Sequence, residues 1–204
     1  MPEKTSGGNV LRFAPSPNGW LHLGHAYSAL FAHDMALTLG ARFLLRIEDI
    51  DTGRCRPEYE QAIYEDLAWL GIEWEEPVRR QSEHFSDYER ALKQLRDMGL
   101  VYPCFATRKE IQDAIVASGI PLANWPTDPD GALVYPGIYK NIPHDRLNEL
   151  MWEGRTYAWR LDMEKAHRRA QEIVGAPVVF HEEGESPAGH KGLLPVKPEL
   201  FGDV

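Results

Sequence analysis

The chain has 204 residues, 43% apolar, 26% charged and 10% aromatic, a globular composition that excludes disordered, collagen-like and coiled-coil chains and suits one domain or slightly more. Twenty-two basic against 31 acidic side chains leave a net charge of −9, spread over both halves, so the chain as a whole lacks the basic footprint of a dedicated nucleic-acid binder. No apolar run approaches the roughly 20 residues of a membrane span, the first ten residues lack the pattern of a secretion signal, and the two cysteines, Cys55 and Cys104, suit a reducing compartment; a cytoplasmic protein with no membrane partner is expected.

After a polar leader, Val10-Leu11-Arg12-Phe13 predicts a short strand, stopped by Ala-Pro-Ser-Pro-Asn-Gly (14–19), whose prolines and glycine forbid continuation. From about Gly24, Ala26, Ala29, Leu30, His33 and Leu37 recur at helical spacing, and Gly40 stands where a left-handed cap ends a helix. Residues 42–48 are dense in large apolar side chains and read as a buried strand, completing a parallel βαβ unit. Pro57 opens a second helix with Tyr59, Ile63, Leu67 and Leu70 on one face, closed by Gly71. Ser86 with Glu89 predicts a capping box ahead of Leu92, Leu95 and Met98, and Gly99 ends that helix. A strand is predicted over 100–105, and Thr107 with Glu110 repeats the box for a helix to about Ser118, so the α/β alternation persists to there. Five prolines and three glycines make 119–143 a loop-rich insertion or a boundary. Beyond it, 143–154 reads as a helix, 156–162 and 177–181 as strands, and 184–192 as a glycine-rich loop.

Functional residue types concentrate between the first strand and the first helix, in Arg12-Phe-Ala-Pro-Ser-Pro-Asn-Gly-Trp-Leu-His-Leu-Gly-His25. Open α/β sheets bind ligands at such a strand end. Backbone N–H groups and the positive end of the helix dipole favour an anion there, phosphate being the natural one, and Gly24 lets it approach closely. His22 and His25, three apart, share a face of the first turn and can donate to phosphate oxygens as charge builds up. By itself such a histidine pair is more often surface decoration or a partial metal site.

Arg-Phe-Ala-Pro-Ser-Pro-x-Gly-x-Leu-His-Leu-Gly-His (12–25), Arg-Ile-Glu-Asp-Ile-Asp (46–51), Trp-Leu-Gly-Ile-Glu-Trp (69–74) and Gln-Ser (81–82) together resemble the nucleotide-binding domain of class I glutamyl-tRNA synthetases over residues 10–110. With Cys-Phe-Ala-Thr-Arg-Lys-Glu-Ile-Gln (104–112) and Tyr-Pro-Gly-Ile-Tyr (135–139), the chain looks most like the glutamyl-queuosine tRNA(Asp) synthetases, shortened relatives without an anticodon-binding domain. The resemblance implies a Rossmann-like α/β catalytic domain: residues 1–118 its first half, 119–192 an inserted smaller α+β region, and 193–204 the start of the second half. It also implies activation of glutamate with ATP and Mg²⁺, then transfer to queuosine in the anticodon of tRNA(Asp). Arg12 matches the arginine for a substrate carboxylate, Ala14 and Ser16 the glutamate-contacting loop, and Glu48 the acid for the α-amino group. Pro15, His22, Gly24 and His25 match the ATP-binding turn, with His22 and His25 as its catalytic pair.

Two departures matter. The family's zinc pattern keeps Cys104 and Tyr135, but Ala106 and Tyr139 stand where two thiolates are wanted, so no metal is expected and Cys104 reads as a buried apolar residue. The rest of the glutamate pocket and the phosphate-gripping Lys-Ser loop lie in the family beyond the strand that residues 202–204 begin, so a fragment or truncated product with little turnover is expected, the loop at 184–192 with Lys191 being a weak substitute. The alternatives are a truncated glutamyl-tRNA synthetase and a non-catalytic ATP- or glutamate-binding remnant. Trp69, Trp74, Trp125, Trp152 and Trp159 read as packing. The tRNA surface is sought in local basic pairs, Arg54 with Arg56, Arg79 with Arg80, Arg108 with Lys109 and Arg168 with Arg169. Oligomeric state is not legible.

Overall fold

A computed structural model describes residues 8–184 and 189–204. Residues 1–7 of the polar leader and 185–188 of the glycine-rich loop lie outside the described residues. The chain divides into two compact units, one ending at Arg90 and the other spanning Ala91–Val204.

In the first unit, β1 (Val10–Phe13), α1 (Leu23–Leu39), β2 (Arg42–Ile47), α2 (Pro57–Trp69) and β3 (Glu75–Arg80) follow in order. The strands form one sheet in the order β1-β2-β3, both pairings parallel, with Arg12 opposite Leu44 and Phe13 opposite Leu45. Alternation along a strand sends successive side chains to opposite faces. Phe13, Phe43, Leu45 and Ile47 are therefore buried together, under Ala29 and Ala36 of α1 and Ile63 and Leu67 of α2. The small Ala29 and Ala36, seven apart, let α1 approach the sheet. Leu37, expected on the packed side, is instead 69% exposed, because a helix apolar all round leaves its pattern silent about which face is buried. Gly40 takes φ +59°, and its N–H reaches the carbonyls of Ala36 and Leu37, the left-handed cap anticipated.

Strand β3 is a correction. Glu-Glu-Pro-Val-Arg-Arg has one apolar residue outside its proline and gives no period-two signal; its pairing with β2 makes it a strand. A 3-10 turn over Gln81–His84 leads straight into α3 (Phe85–Asp97), so Ser86 is the helix's second residue and its predicted capping box does not form.

In the second unit, β4 (Val101–Cys104) pairs antiparallel with β5 (Ala158–Leu161) rather than extending a parallel sheet. Helix α4 (Arg108–Ala117) starts with the reciprocal Thr107–Glu110 box, and α5 (His144–Trp152) follows the loop-rich stretch. Helix α6 (Met163–Val174) was unanticipated, although Asp162 caps its start and Gly175 its end. The hairpin of β6 (Val179–Glu182) and β7 (Gly192–Pro195) follows. Asp203 lies at 9% exposure and accepts from the Tyr102 hydroxyl at 2.7 Å and the Lys140 ammonium at 3.1 Å, with Lys140 also 3.0 Å from the buried Asp162. Burial and the Asp203 carboxylate push the Tyr102 hydroxyl well above the usual phenol range. Trp74 packs on the first unit's core, the Trp125 indole donates to the Val134 carbonyl at 2.8 Å, and Arg96 stacks over Trp159. The packing reading fails for Trp69 and Trp152, which are 85% and 93% exposed.

Leu67 is fully buried between α2 and the sheet. Leu67→Ala is expected to destabilise the first unit by about 2–5 kcal/mol, read from a urea unfolding curve followed by a probe in that unit.

Candidate functional site

The loop leaving β1 is held at three points. The Glu48 N–H donates to the Pro15 carbonyl at 2.9 Å, the Arg56 N–H donates to the Pro17 carbonyl at 3.0 Å, and Ser16 Oγ lies 3.9 Å from Cys55 Sγ. Residues 14–17 are thereby fixed against the chain leaving β2, so Arg12, Ser16 and Glu48 belong to one stretch of the sheet's carboxyl edge.

At the start of α1, His22 is the N-cap in an extended conformation. Its Nδ1 accepts from the Gly24 N–H at 3.1 Å, while its own N–H donates to Nδ1 of His25 at 3.2 Å. The His25 and Ala26 N–H groups turn to the His22 carbonyl. The sequence led us to expect free amides lining this mouth. The imidazoles take those of His22 and Gly24 and the His22 carbonyl those of His25 and Ala26, leaving the Leu23 N–H without a partner among the described residues. The gain is at the other ring nitrogen. An N–H on Nδ1 requires a lone pair there, so each neutral ring carries its hydrogen on Nε2. The two rings lie with centroids 3.9 Å apart and planes 32° from parallel. Burial and the neighbouring His22 push the His25 imidazole below its ordinary 6.5, favouring the neutral form. Gly24 has a different reason from the one anticipated: a Cβ there would meet the His22 ring at 3.0 Å.

The second face of the sheet carries Arg12, Arg42, Leu44 and Arg46, with Glu48 just beyond. Parallel sheets are normally apolar on both faces, so charge here marks a surface kept for another purpose. Arg42 makes a two-pronged ion pair with Glu75 at 2.6 and 2.7 Å, Arg46 pairs with Glu48, and Arg79 pairs with Asp87 at 3.1 Å. Arg12 is exposed and makes no side-chain hydrogen bond or ion pair among the described residues. A cationic guanidinium and a carboxylate thus stand on one sheet face, suited to an acid that also carries an ammonium.

Next to Glu48, Asp49 is 5% exposed and accepts from the Ser82 N–H at 2.8 Å and the Ser82 hydroxyl at 2.5 Å, with Arg80 at 3.6 Å. Burial alone would raise the Asp49 carboxyl; the Ser82 bonds and Arg80 outweigh it and hold the group below its ordinary 3.8. Arg80 also pairs with Glu60 at 2.9 Å. Burial and Glu60 push the Tyr64 hydroxyl up to about 12. Asp49, Glu60, Arg80 and Ser82 border a cavity of about 210 Å³ that also meets Pro17, Cys55 and Arg56. The sequence places Asp49 and Ser82 in motifs without giving them a role; the one signal was an acid directly after Glu48.

Of the basic pairs, Arg54, Arg79, Arg80, Arg168 and Arg169 each meet a carboxylate, with Arg54 on Asp51 at 2.6 Å, Arg168 on Glu164 at 2.8 Å and Arg169 on Glu172 at 3.0 Å. Arg56 donates to the carbonyls of Gly53 and Cys55. Arg108 and Lys109, opening α4, have no ion-pair partner among the described residues. The Cys104 thiol donates to the Tyr135 hydroxyl at 3.3 Å, which also accepts from the Tyr139 N–H at 2.9 Å. With Ala106 and Tyr139 alongside, this donor set is a hydrogen-bonded packing contact and does not fit a zinc ion.

A parallel strand–helix–strand sheet with charged side chains at its carboxyl edge defines an α/β domain, and its matches place it among the class I aminoacyl-tRNA synthetase catalytic domains. Residues 10–118 match the family model described as tRNA synthetases class I (E and Q), catalytic domain, and the chain belongs to that family. It is 43% identical over 199 residues to a Glutamyl-Q tRNA(Asp) synthetase of Rhodobacter capsulatus, covering 96% of this chain and 65% of that protein. It is 38% identical to Glutamate--tRNA ligase 2 of Gluconobacter oxydans, covering 80% of this chain and 35% of that one. The crystal structure of a glutamate tRNA ligase from Elizabethkingia meningosepticum in complex with its amino acid superposes with a TM-score of 0.61 at 27% identity, over 95% of this chain and 37% of that one. The chain therefore spans less than two thirds of the length of these relatives.

Two predictions test this geometry. In long-range ¹H–¹⁵N spectra both imidazoles should be protonated at Nε2, and His25 should titrate below 6.5. Because its folded value is depressed, the bond from His22 N–H should be intact above 6.5 and lost as pH falls through the lower folded value. Asp49→Asn is expected to cost about 2 kcal/mol at neutral pH, the worth of hydrogen bonds to a charged group. The folded Asp49 carboxyl lies below its unfolded 3.8, so its contribution is complete above 3.8. It is lost as pH falls through the folded value, and the stabilities of the two proteins should converge there in urea titrations.

Proposed function

We propose that this chain carries one side of a glutamate-activating site, and that the protein it represents joins glutamate to queuosine in the anticodon of tRNA(Asp). The observation that carries the reading is the pair of backbone-locked imidazoles at the head of α1, in the same unit as an unpaired Arg12 and Glu48 on one sheet face. Arg12 holds a substrate carboxylate through a planar fork. Ala14 and Ser16 form the loop beside it, and Glu48 takes the α-ammonium. The Nε2–H groups of His22 and His25 donate to phosphate oxygens of ATP, in a turn shaped by Pro15 and Gly24, and their hold strengthens as charge grows in the transition state. The glutamate carboxylate oxygen bonds to the α-phosphorus while the bond to pyrophosphate breaks. A hydroxyl of the cyclopentenediol then takes the acyl group and AMP departs. Mg²⁺, when bound, would supply charge neutralisation on the triphosphate.

Residues 1–118 are read as the first half of the catalytic domain, 119–192 as its insertion and 193–204 as the start of the second half. Arg108 and Lys109, uncommitted to carboxylates, are the basic pair offered to the tRNA backbone. Two free thiols, Cys55 and Cys104, agree with the reducing cytoplasm.

ATP–pyrophosphate exchange dependent on glutamate tests the reading. Exchange without tRNA is the expected result for a protein that carries both sides of the site. Exchange only with tRNA(Glu) would support a glutamyl-tRNA synthetase, and ATP binding with no exchange under either condition a non-catalytic remnant.

A further inference from the structure

We propose that Arg46 is a positioning residue that aims Glu48 at the substrate ammonium and so sets the preference for an amino acid over a plain dicarboxylate. The inference rests on the reading of Glu48 given above. Arg46 and Glu48 are two apart along β2 and its exit, on the same face. The Arg46 guanidinium donates through one terminal nitrogen to Glu48 Oε1. No donor from the described residues meets Oε2. The backbone of Glu48 is fixed separately, its N–H on the Pro15 carbonyl. A carboxylate tied at its amide and at one oxygen has little freedom left about its side-chain torsions, and the lone pairs of the second oxygen are presented in one direction.

The surroundings agree with this division of labour. Arg46 lies across from Arg79 in the sheet, and Arg79 is satisfied by Asp87 at 3.1 Å. Glu48 is the carboxylate that meets Arg46, and the Nε of Arg46 is buried without a hydrogen-bond partner. The side chains, 28% and 36% exposed, are shielded enough for the contact to hold its geometry, yet open enough for a ligand to reach Oε2.

Ligand-observed NMR titration of the 204-residue chain with l-glutamate and with glutarate, which lacks the ammonium, provides the test. Tighter binding of l-glutamate is expected in the unaltered chain. Arg46→Met, which keeps the aliphatic stem, should weaken l-glutamate about tenfold, the size of one charge-assisted contact, and leave glutarate unchanged. Arg46→Lys should recover part of the loss. In a Glu48→Gln background, Arg46→Met should cost nothing further. Equal weakening of both ligands, or the same loss with and without Glu48, would overturn the positioning role while leaving the glutamate site standing. No preference for l-glutamate over glutarate in the unaltered chain would instead overturn the assignment of Glu48, and the role of Arg46 with it.

Discussion

The N-cap amide of α1 and the Gly24 amide in its first turn both end on imidazole nitrogens, and the protonation of both rings depends on that choice. A helix start needs partners for its leading N–H groups, and α1 has no acidic side chain in its first turn to supply them. His22 and His25 accept at Nδ1 instead, which forces the remaining hydrogen of each ring outward on Nε2. The positive end of the helix is thereby passed on through two rings rather than through bare amides, and polarisation along such a chain strengthens the outer donor. The requirement for glycine at position 24 follows from the same packing, since the His22 ring occupies the space of its Cβ.

A buried carboxylate performs the corresponding service at the end of β2. Asp49 is taken from water, and the hydroxyl and amide of Ser82 replace the lost hydration. This ties the exit of β2 to the turn after β3, two places that no local sequence rule connects. Glu48 precedes Asp49 by one residue, both just past the end of β2. Asp49 is buried while the Glu48 side chain is partly exposed, so the anchored acid and the accessible one are neighbours.

The sequence was legible where local chemistry decides structure. Gly40, Pro57 and the Thr107–Glu110 box each set a helix boundary that backbone sterics or a cap hydrogen bond determines within a few residues. It was silent where distant partners decide. Glu75–Arg80 is a strand through its partner β2, Ser86 lost its cap to a 3-10 turn that already occupied the preceding residues, and Leu37 looked inward on a helix with no polar face. Helix α6 was missed although Asp162 and Gly175 mark its ends, because Asp162 alone separates it from β5 and no turn residue stands between the two elements. In the site, residue types and their grouping could be read directly. The tautomers of the two imidazoles, the second role of Gly24 and the pairing of Arg46 with Glu48 could not, since each depends on where a ring or a guanidinium comes to rest.

Charge on the second face of the sheet is the physical support for the proposed ligand class. The ion pairs Arg42–Glu75, Arg46–Glu48 and Arg79–Asp87 are each neutral as pairs, leaving Arg12 as the uncompensated charge among the arginines of that face. Glutamate at neutral pH bears two carboxylates and one ammonium, a net charge of −1, so its charge complements this surface without requiring any of the pairs to break. On the proposed reading, a dicarboxylate without the ammonium would leave Oε2 of Glu48 unmatched. Discrimination would then rest as much on the ammonium that Glu48 accepts as on the carboxylate that Arg12 holds.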